Sequence, residues 1–368
     1  MLGFKVALGI QGCAARIAVS TAAVFLYLPF LSGDALAASF GMVADNGSDL
    51  VRMFDTNTGD VVASLKSGGG RINGDCALSQ DESIGFSSNA GRHISVFQFS
   101  ESASGKVIDF SSIDISNAGV DMSLSPDGRL LISTGAGNAY EPLSIIDTKT
   151  RVELAASAPF LDHTSAEFCD DGTLLVTTTY GNSFAQPFDN AMYDASVALD
   201  GVLQLGGNRL SSGAQPNNGS CAPGSKTGVL LDRNAGLTSF TLPGLHKVDY
   251  VKLHGRSAIS AVFNESGTRL YVRTSDAVEA FDFNPSTGMM RSDWVQYVSF
   301  SSEYFGIDQI AIDMDSGKLY VDGGQSLLIL DPESGDQTGS VHAGDATGVC
   351  FAQRGQKTPV LKVVNNAP

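Results

Sequence analysis

A four-part unit of about 40 to 50 residues recurs along this chain of 368 residues, and the recurrence constrains the fold more than any other feature. The clearest copy spans residues 119–159 and reads GVDMSLSPDG, RLLISTGAG, EPLSIIDTKT and RVELAASAP. Each part is rich in alternating or β-branched apolar residues and ends in turn-forming residues. The unit therefore predicts four antiparallel strands, named A to D in chain order.

Short turns separate the strands of this unit. Between strands A and B, Pro126 fixes its own φ and Gly128 accepts a positive φ. Between strands C and D, Asp147 opens a second turn, where its side chain can bond to the following backbone. Further copies of the unit begin near Asp75, Ser165, Ser220, Ala258 and Ile307.

The two ends of the repeat region complement each other. Residues 40–65 supply B-, C- and D-like strands but no A strand. Residues 347–355 supply an A-like strand with nothing after it. Together they make one blade, which closes the array into a ring without exposed sheet edges. The predicted fold is an all-β, seven-bladed β-propeller of four-stranded antiparallel blades, closed by the C-terminal strand completing blade 1.

Residues 46–65, NGSDLVRMFDTNTGDVVASL, resemble the YVTN-type β-propeller repeat. Residues 125–133 (SPDGRLLIS) and 264–272 (NESGTRLYV) carry the same resemblance. Propellers of this type include surface-layer proteins, lactonase-like proteins and the propeller subunits of quinoprotein amine dehydrogenases. The resemblance implies the fold, and it does not transfer a function.

The N-terminus has the pattern of a signal peptide. Lys5 and Arg16 give a positive segment, residues 17–31 are apolar, and small residues stand at Ala35 and Ala37. We expect cleavage after Ala37, a propeller over residues 38–360, a tail over residues 361–368, and a periplasmic or secreted location. An uncleaved anchor is the alternative, but 15 apolar residues are short for a membrane span. No membrane span is expected after signal removal.

The net charge of −16 argues against nucleic acid as a partner, because a polyanion would be repelled. Four cysteines outside the signal, Cys76, Cys169, Cys221 and Cys350, fall in predicted A strands. Aligned on the A–B turns, Cys76 and Cys350 lie in neighbouring blades at positions of opposite parity, so their side chains can face each other. Cys169 and Cys221 have the same relation. Two inter-blade disulfides are therefore expected; buried free thiols are the alternative.

Candidate binding residues concentrate on one face of the disc. The A–B and C–D turns lie on one face and are short. The B–C and D–A connections lie on the other and are irregular, which is typical of binding loops. The longest insertion is Tyr180–Asp194, with aromatic and polar residues suited to a ligand or partner, or to packing over the neighbouring blade. The candidates are Tyr180, Gln186, Tyr193, Arg71, Arg92, His93, His163, His254 and Asp308.

Three functions fit these features. The first is a binding scaffold for a protein partner or a small-molecule ligand, favoured because no catalytic motif emerges. The second is a lactonase-like hydrolase with a site at the channel mouth. The third is a cofactor-free propeller subunit of an amine-dehydrogenase-like complex. The histidines lack the spacing of a metal motif, so neither a metal nor a cofactor is expected.

Overall fold

The computed structural model describes residues 40–45, 48–67, 74–89, 91–99, 107–117, 119–135, 142–156, 163–178, 190–198, 201–211, 215–298, 309–344 and 346–352. These residues form seven four-stranded antiparallel sheets, arranged as the blades of a β-propeller. The predicted signal peptide (1–37) and tail (361–368) lie outside the described residues. In the part of the chain that is described, no helix is long and apolar enough to cross a membrane.

The strands follow the repeat, with the A strand at the inner edge of each blade. Blade 1 contains β1 (Phe40–Asp45), β2 (Leu50–Asp55) and β3 (Val61–Lys66), with β28 (Ala346–Cys350) as its A strand. Blade 2 contains β4 (Cys76–Leu78), β5 (Ile84–Asn89), β6 (His93–Phe99) and β7 (Val107–Asp114). Blade 3 contains β8 (Gly119–Leu124), β9 (Leu130–Gly135), β10 (Ser144–Asp147) and β11 (Val152–Ala156).

The second half of the ring repeats this order. Blade 4 contains β12 (His163–Phe168), β13 (Leu174–Thr178), β14 (Ala191–Val197) and β15 (Leu203–Ser211). Blade 5 contains β16 (Pro216–Cys221), β17 (Thr227–Asp232), β18 (Gly236–Thr241) and β19 (His246–Lys252). Blade 6 contains β20 (Ala258–Phe263), β21 (Arg269–Thr274), β22 (Ala277–Phe283) and β23 (Met290–Tyr297). Blade 7 contains β24 (Ile310–Ile312), β25 (Leu319–Asp322), β26 (Leu327–Leu330) and β27 (Gln337–Val341).

The hydrophobic core lies between neighbouring blades, because each blade buries both of its faces. Between blades 2 and 3, Phe86, Ile94 and Leu131 are almost fully buried in one cluster. Between blades 6 and 7, Tyr271 and Val321 occupy a corresponding cluster. Each large side chain buried in this way contributes roughly 1.5–3 kcal/mol. The seven blades therefore depend on their neighbours for stability.

The C-terminal strand closes the ring as predicted. Strand β28 pairs with β1 in antiparallel register, with Met42 opposite Cys350 and Ala44 opposite Gly348. A Cβ on Gly348 would lie 2.6 Å from Asp75 Oδ1 and 2.8 Å from Asp75 Cα, so this position requires glycine. The closing strand thus fits both blade 1 and the inner edge of blade 2.

An aromatic cluster holds the residue that follows the closing strand. The ring of Phe351 lies edge-on to Phe54 of blade 1, with centroids 5.9 Å apart. The same ring lies 5.0 Å from that of Tyr320 in blade 7. Burial raises the pKa of the Tyr320 phenol, which donates a hydrogen bond to the Thr56 carbonyl oxygen. Blade 7 and the two halves of blade 1 are therefore packed together.

Both predicted disulfides are present. Cys76 is bonded to Cys350, with Cα atoms 5.8 Å apart, and joins blades 1 and 2. Cys169 is bonded to Cys221, with Cα atoms 5.4 Å apart, and joins blades 4 and 5. One detail of the prediction is wrong: Cys169 lies one residue beyond β12, where its N–H opens the A–B turn by donating to the Thr173 carbonyl oxygen. Cys169 and Cys221 still face each other across blades 4 and 5.

Candidate functional site

The A–B/C–D face uses its carboxylates to shape turns. Asp127 Oδ1 accepts hydrogen bonds from the Ser125 hydroxyl (2.7 Å) and the Arg129 N–H (3.1 Å). Hydrogen bonds from the N–H and the hydroxyl of Thr150 hold the pKa of Asp147 below its usual value. In the same way, the N–H groups of Ser334 and Glu333 lower the pKa of Asp331. These acids serve the fold, and they do not mark a site.

A belt of polar side chains surrounds the axis toward the opposite, B–C/D–A face. Its members stand four residues before the residue that opens each A–B turn, and all are buried. In blades 2 to 7 they are Asp75, Asp121, Ser165, Asn218, Ser260 and Gln309. Gly348 stands at the corresponding position of blade 1, opposite Ala44.

The belt joins blades 2 to 5 in sequence, and it joins blade 6 to blade 7. Asp75 Oδ2 accepts a hydrogen bond from the N–H of Met122 in blade 3, at 3.2 Å. Asp121 Oδ2 likewise accepts from the N–H of Ala166 in blade 4, at 3.0 Å. The Ser165 hydroxyl donates to Asn218 Oδ1 at 3.1 Å, across blades 4 and 5. The Ser260 hydroxyl oxygen accepts from the Gln309 N–H at 3.2 Å, across blades 6 and 7. Strand alternation points these side chains at the next blade.

A buried charge pair adjoins the belt at blades 6 and 7. Arg273 lies opposite Ser260, and the Asp322 N–H donates to the Gln309 carbonyl oxygen at 3.0 Å. Both charged side chains have no exposed surface, and Arg273 Nη2 lies 3.9 Å from Asp322 Oδ2. Arg273 Nη1 also donates to the Thr274 carbonyl oxygen. The corresponding residues of blades 1 to 5 are uncharged: Ala44, Ser88, Thr134, Thr177 and Leu231.

The carboxamide of Gln309 is one of several buried polar groups that make no hydrogen bond among the described residues. Gln309 is fully buried, and neither Oε1 nor Nε2 has a hydrogen-bond partner among the described residues. Its backbone, by contrast, is bonded to both Ser260 and Asp322. A buried amide without partners is unusual, since burial removes its hydrogen bonds to water.

Another buried acid, Glu279, anchors the connection between blades 5 and 6. Glu279, on β22, accepts a hydrogen bond from the Gly255 N–H at 2.8 Å. Its other oxygen lies 3.1 Å from Nδ1 of His254. The side chain of Glu279 is 1% exposed, whereas that of His254 is 58% exposed. A buried carboxylate therefore orients a solvent-facing imidazole on the B–C/D–A face.

The predicted candidates divide into two groups. Arg71, Tyr180, Gln186 and Asp308 lie outside the described residues. Arg92 precedes β6 and His93 begins it, so both stand at the B–C connection of blade 2, next to its third strand. His163 begins β12, and His254 precedes β20 by four residues.

The position of Tyr193 corrects the predicted loop. The insertion is expected to run to Asp194, but β14 begins at Ala191, and Tyr193 pairs with Val176 as a half-buried strand residue. Polar residues interrupt the apolar run of β14, so the sequence pattern does not show where this strand begins. Tyr193 is therefore on a strand, and its ring is partly packed.

Sequence reasoning missed Arg273, Glu279, Gln309 and Asp322. Two of these residues have a signal in the sequence, a charge inside an otherwise apolar strand: Arg273 in RLYVRT (269–274) and Glu279 in AVEAFDF (277–283). In the part of the chain that the structure describes, no group of three or more His, Cys, Asp or Glu side chains is placed to hold a metal ion.

Solved structures with the same architecture include a functionally unknown protein from Desulfotomaculum acetoxidans, with 17% identity and a TM-score of 0.74 over 86% of this chain and 99% of that one. A putative 6-phosphogluconolactonase from Bacteroides fragilis has 12% identity and a TM-score of 0.69, over 87% and 99%. A periplasmic gluconolactonase from Pseudomonas aeruginosa has 15% identity and a TM-score of 0.69, over 86% and 99%. They share the fold. No family model and no curated protein matches this chain.

Proposed function

We propose that this chain is an exported, YVTN-type binding propeller that takes a small-molecule ligand or a protein partner on its B–C/D–A face. Cleavage after Ala37 releases the propeller into the periplasm or the medium. The two inter-blade disulfides are consistent with an extracytoplasmic location, where such bonds persist.

The observation that carries the proposal is the asymmetry between the two faces. Carboxylates of the A–B/C–D face bond to their own turns, as at Asp127 and Asp147. Toward the B–C/D–A face, Arg273 and Glu279 are charged and buried within strands, although the repeat does not require charge there. Burying an ion costs several kcal/mol, so buried charges beyond those needed by the fold are typical of functional sites.

Charge reversal on each face tests this proposal. The mature protein is incubated with a periplasmic extract of the producing organism. Native mass spectrometry then quantifies the molecules that remain bound to the protein, and this bound amount is the retention compared between variants. We expect the double variant Arg92→Glu/Arg256→Glu to weaken retention roughly tenfold, which corresponds to about 1.4 kcal/mol. The matched control Arg129→Glu/Lys149→Glu alters two exposed cations of the A–B/C–D face and should leave retention unchanged. Equal losses in both variants, or a loss confined to the control, contradict the proposal.

A second candidate function is lactone hydrolysis, which the His254–Glu279 pair favours. With Nδ1 facing Glu279, Nε2 of His254 can take a proton from water. The resulting hydroxide attacks the lactone carbonyl, the ring oxygen leaves with a proton, and a hydroxy acid is formed. Similarity in fold to proteins called gluconolactonase or 6-phosphogluconolactonase supports testing this reaction.

Proton release from glucono-δ-lactone, measured above the spontaneous rate, tests the hydrolase. If the reaction occurs, His254→Asn is expected to lower kcat by roughly a hundredfold, because the general base is lost. The matched control His246→Asn, on an outer strand of blade 5, should keep the full rate. A wild-type rate equal to the spontaneous rate, or a His254→Asn variant with the full rate, excludes this function.

A further inference from the structure

We propose that Gln309, Arg273 and Asp322 form a subsite for a small uncharged ligand with adjacent hydroxyl groups, at the inner ends of blades 6 and 7. This subsite rests on the proposed binding function of the B–C/D–A face, and it specifies the chemistry that the face recognises.

Arg273 and Asp322 stand on β21 and β25, and Gln309 directly precedes β24. Asp322 and Gln309 are cross-strand neighbours in blade 7, joined by the 3.0 Å bond between the Asp322 N–H and the Gln309 carbonyl oxygen. Such neighbours project to the same side of a sheet. Arg273 reaches Asp322 from blade 6, and its cross-strand partner Ser260 accepts the Gln309 N–H. The cluster is therefore fixed by backbone bonds before any ligand arrives.

The Gln309 carboxamide is the group that points to a ligand. Equivalent belt residues use their side chains to bond to the next blade, as Asp75 and Asp121 do. The buried Gln309 amide makes no such bond to any described residue, while its backbone is fully used. It presents one acceptor and two donors, and a ligand with matching groups would satisfy them.

The charges of the subsite select an uncharged ligand. The positive charge of Arg273 and the negative charge of Asp322 lie 3.9 Å apart and offset each other. Because the pair carries no net charge, it gives a charged ligand no net attraction that would offset the ligand's loss of hydration. A hydroxyl group both donates and accepts, so it suits a guanidinium, a carboxylate and an amide at once. Adjacent hydroxyl groups could engage the pair and the amide together.

The test is calorimetric titration of the mature protein with neutral hexoses, pentoses and hexitols. Gln309→Leu keeps the side-chain volume and removes the amide. We expect it to weaken polyol binding roughly tenfold or more, without lowering the melting temperature of the ligand-free protein. The matched control Gln337→Leu, on the exposed strand β27 of the same blade, should bind like wild type. The double variant Arg273→Met/Asp322→Leu replaces the pair by apolar groups, and it should fold and lose binding.

Three results overturn the subsite. Polyol affinity in Gln309→Leu equal to wild type shows that the amide does not contact the ligand. A marked drop in the melting temperature of ligand-free Gln309→Leu shows that the amide is structural. The third result is that wild type binds no polyol, while Arg92→Glu/Arg256→Glu still binds less from the extract than wild type does. That result rules out the subsite but still supports the proposed binding face. If retention also survives that double variant, both proposals fail.

Discussion

A chain that ends at Ala346 is expected not to fold. The truncation removes the remainder of β28 and leaves β1 as an unpaired edge, with Val43 and Phe54 exposed. It also removes Val349 and Phe351, each of which contributes roughly 1.5–3 kcal/mol when buried. Together with the Cys76–Cys350 bond, these losses approach the whole stability of a typical domain, about 5–15 kcal/mol. Circular dichroism and size-exclusion chromatography should show an aggregated or unfolded product.

The matched control is a chain that ends at residue 360, which lacks only the predicted tail. It should melt at the same temperature as the full mature protein. A soluble truncation at Ala346 with an unchanged melting temperature would contradict ring closure by the C-terminal strand.

Loss of the ring-closing disulfide is expected to destabilise the protein more than loss of the other one. The bond between Cys76 and Cys350 spans 274 residues, whereas that between Cys169 and Cys221 spans 52. Constraining the longer loop reduces the entropy of the unfolded chain further, by roughly 1.5 kcal/mol in the chain-entropy relation. Guanidinium unfolding of the two paired Cys→Ser variants should show this order, with each variant about 2–5 kcal/mol below wild type.

Reducing agent supplies the control for this comparison. Dithiothreitol should lower the free energy of unfolding of wild type. It should not change the free energy of unfolding of a variant in which all four cysteines of the mature chain are replaced by serine. A Cys169→Ser/Cys221→Ser variant that is less stable than Cys76→Ser/Cys350→Ser would show that native-state contacts, rather than loop length, set the order.

The sequence was sufficient to predict the fold because the repeat places turn chemistry at regular intervals. Pro126 and Gly128 belong to one such turn, and Gly128 has the expected positive φ of 69°. Strand alternation is equally regular, so the facing of Cys76 and Cys350 follows from counting residues. Both inferences need only local spacing, which the chain keeps in every blade.

The site was harder to predict because its members are brought together by the packing of blades. Ser260 and Gln309 are 49 residues apart in sequence and meet only across blades 6 and 7. Arg273 resembles any other polar residue at a strand end until its burial is known. Loop composition directed attention to exposed residues such as Arg92, whereas Arg273 and Glu279 are buried within regular strands. A charged residue within an apolar strand is therefore a better sequence indicator of this site than loop composition is.

Peptide mapping of the mature protein under non-reducing conditions tests the closed ring most directly. We expect one linked peptide pair containing Cys76 and Cys350, and another containing Cys169 and Cys221, because only neighbouring blades can be bridged. Four thiols open to alkylation in the folded protein, or a link between Cys76 and Cys169, would contradict it.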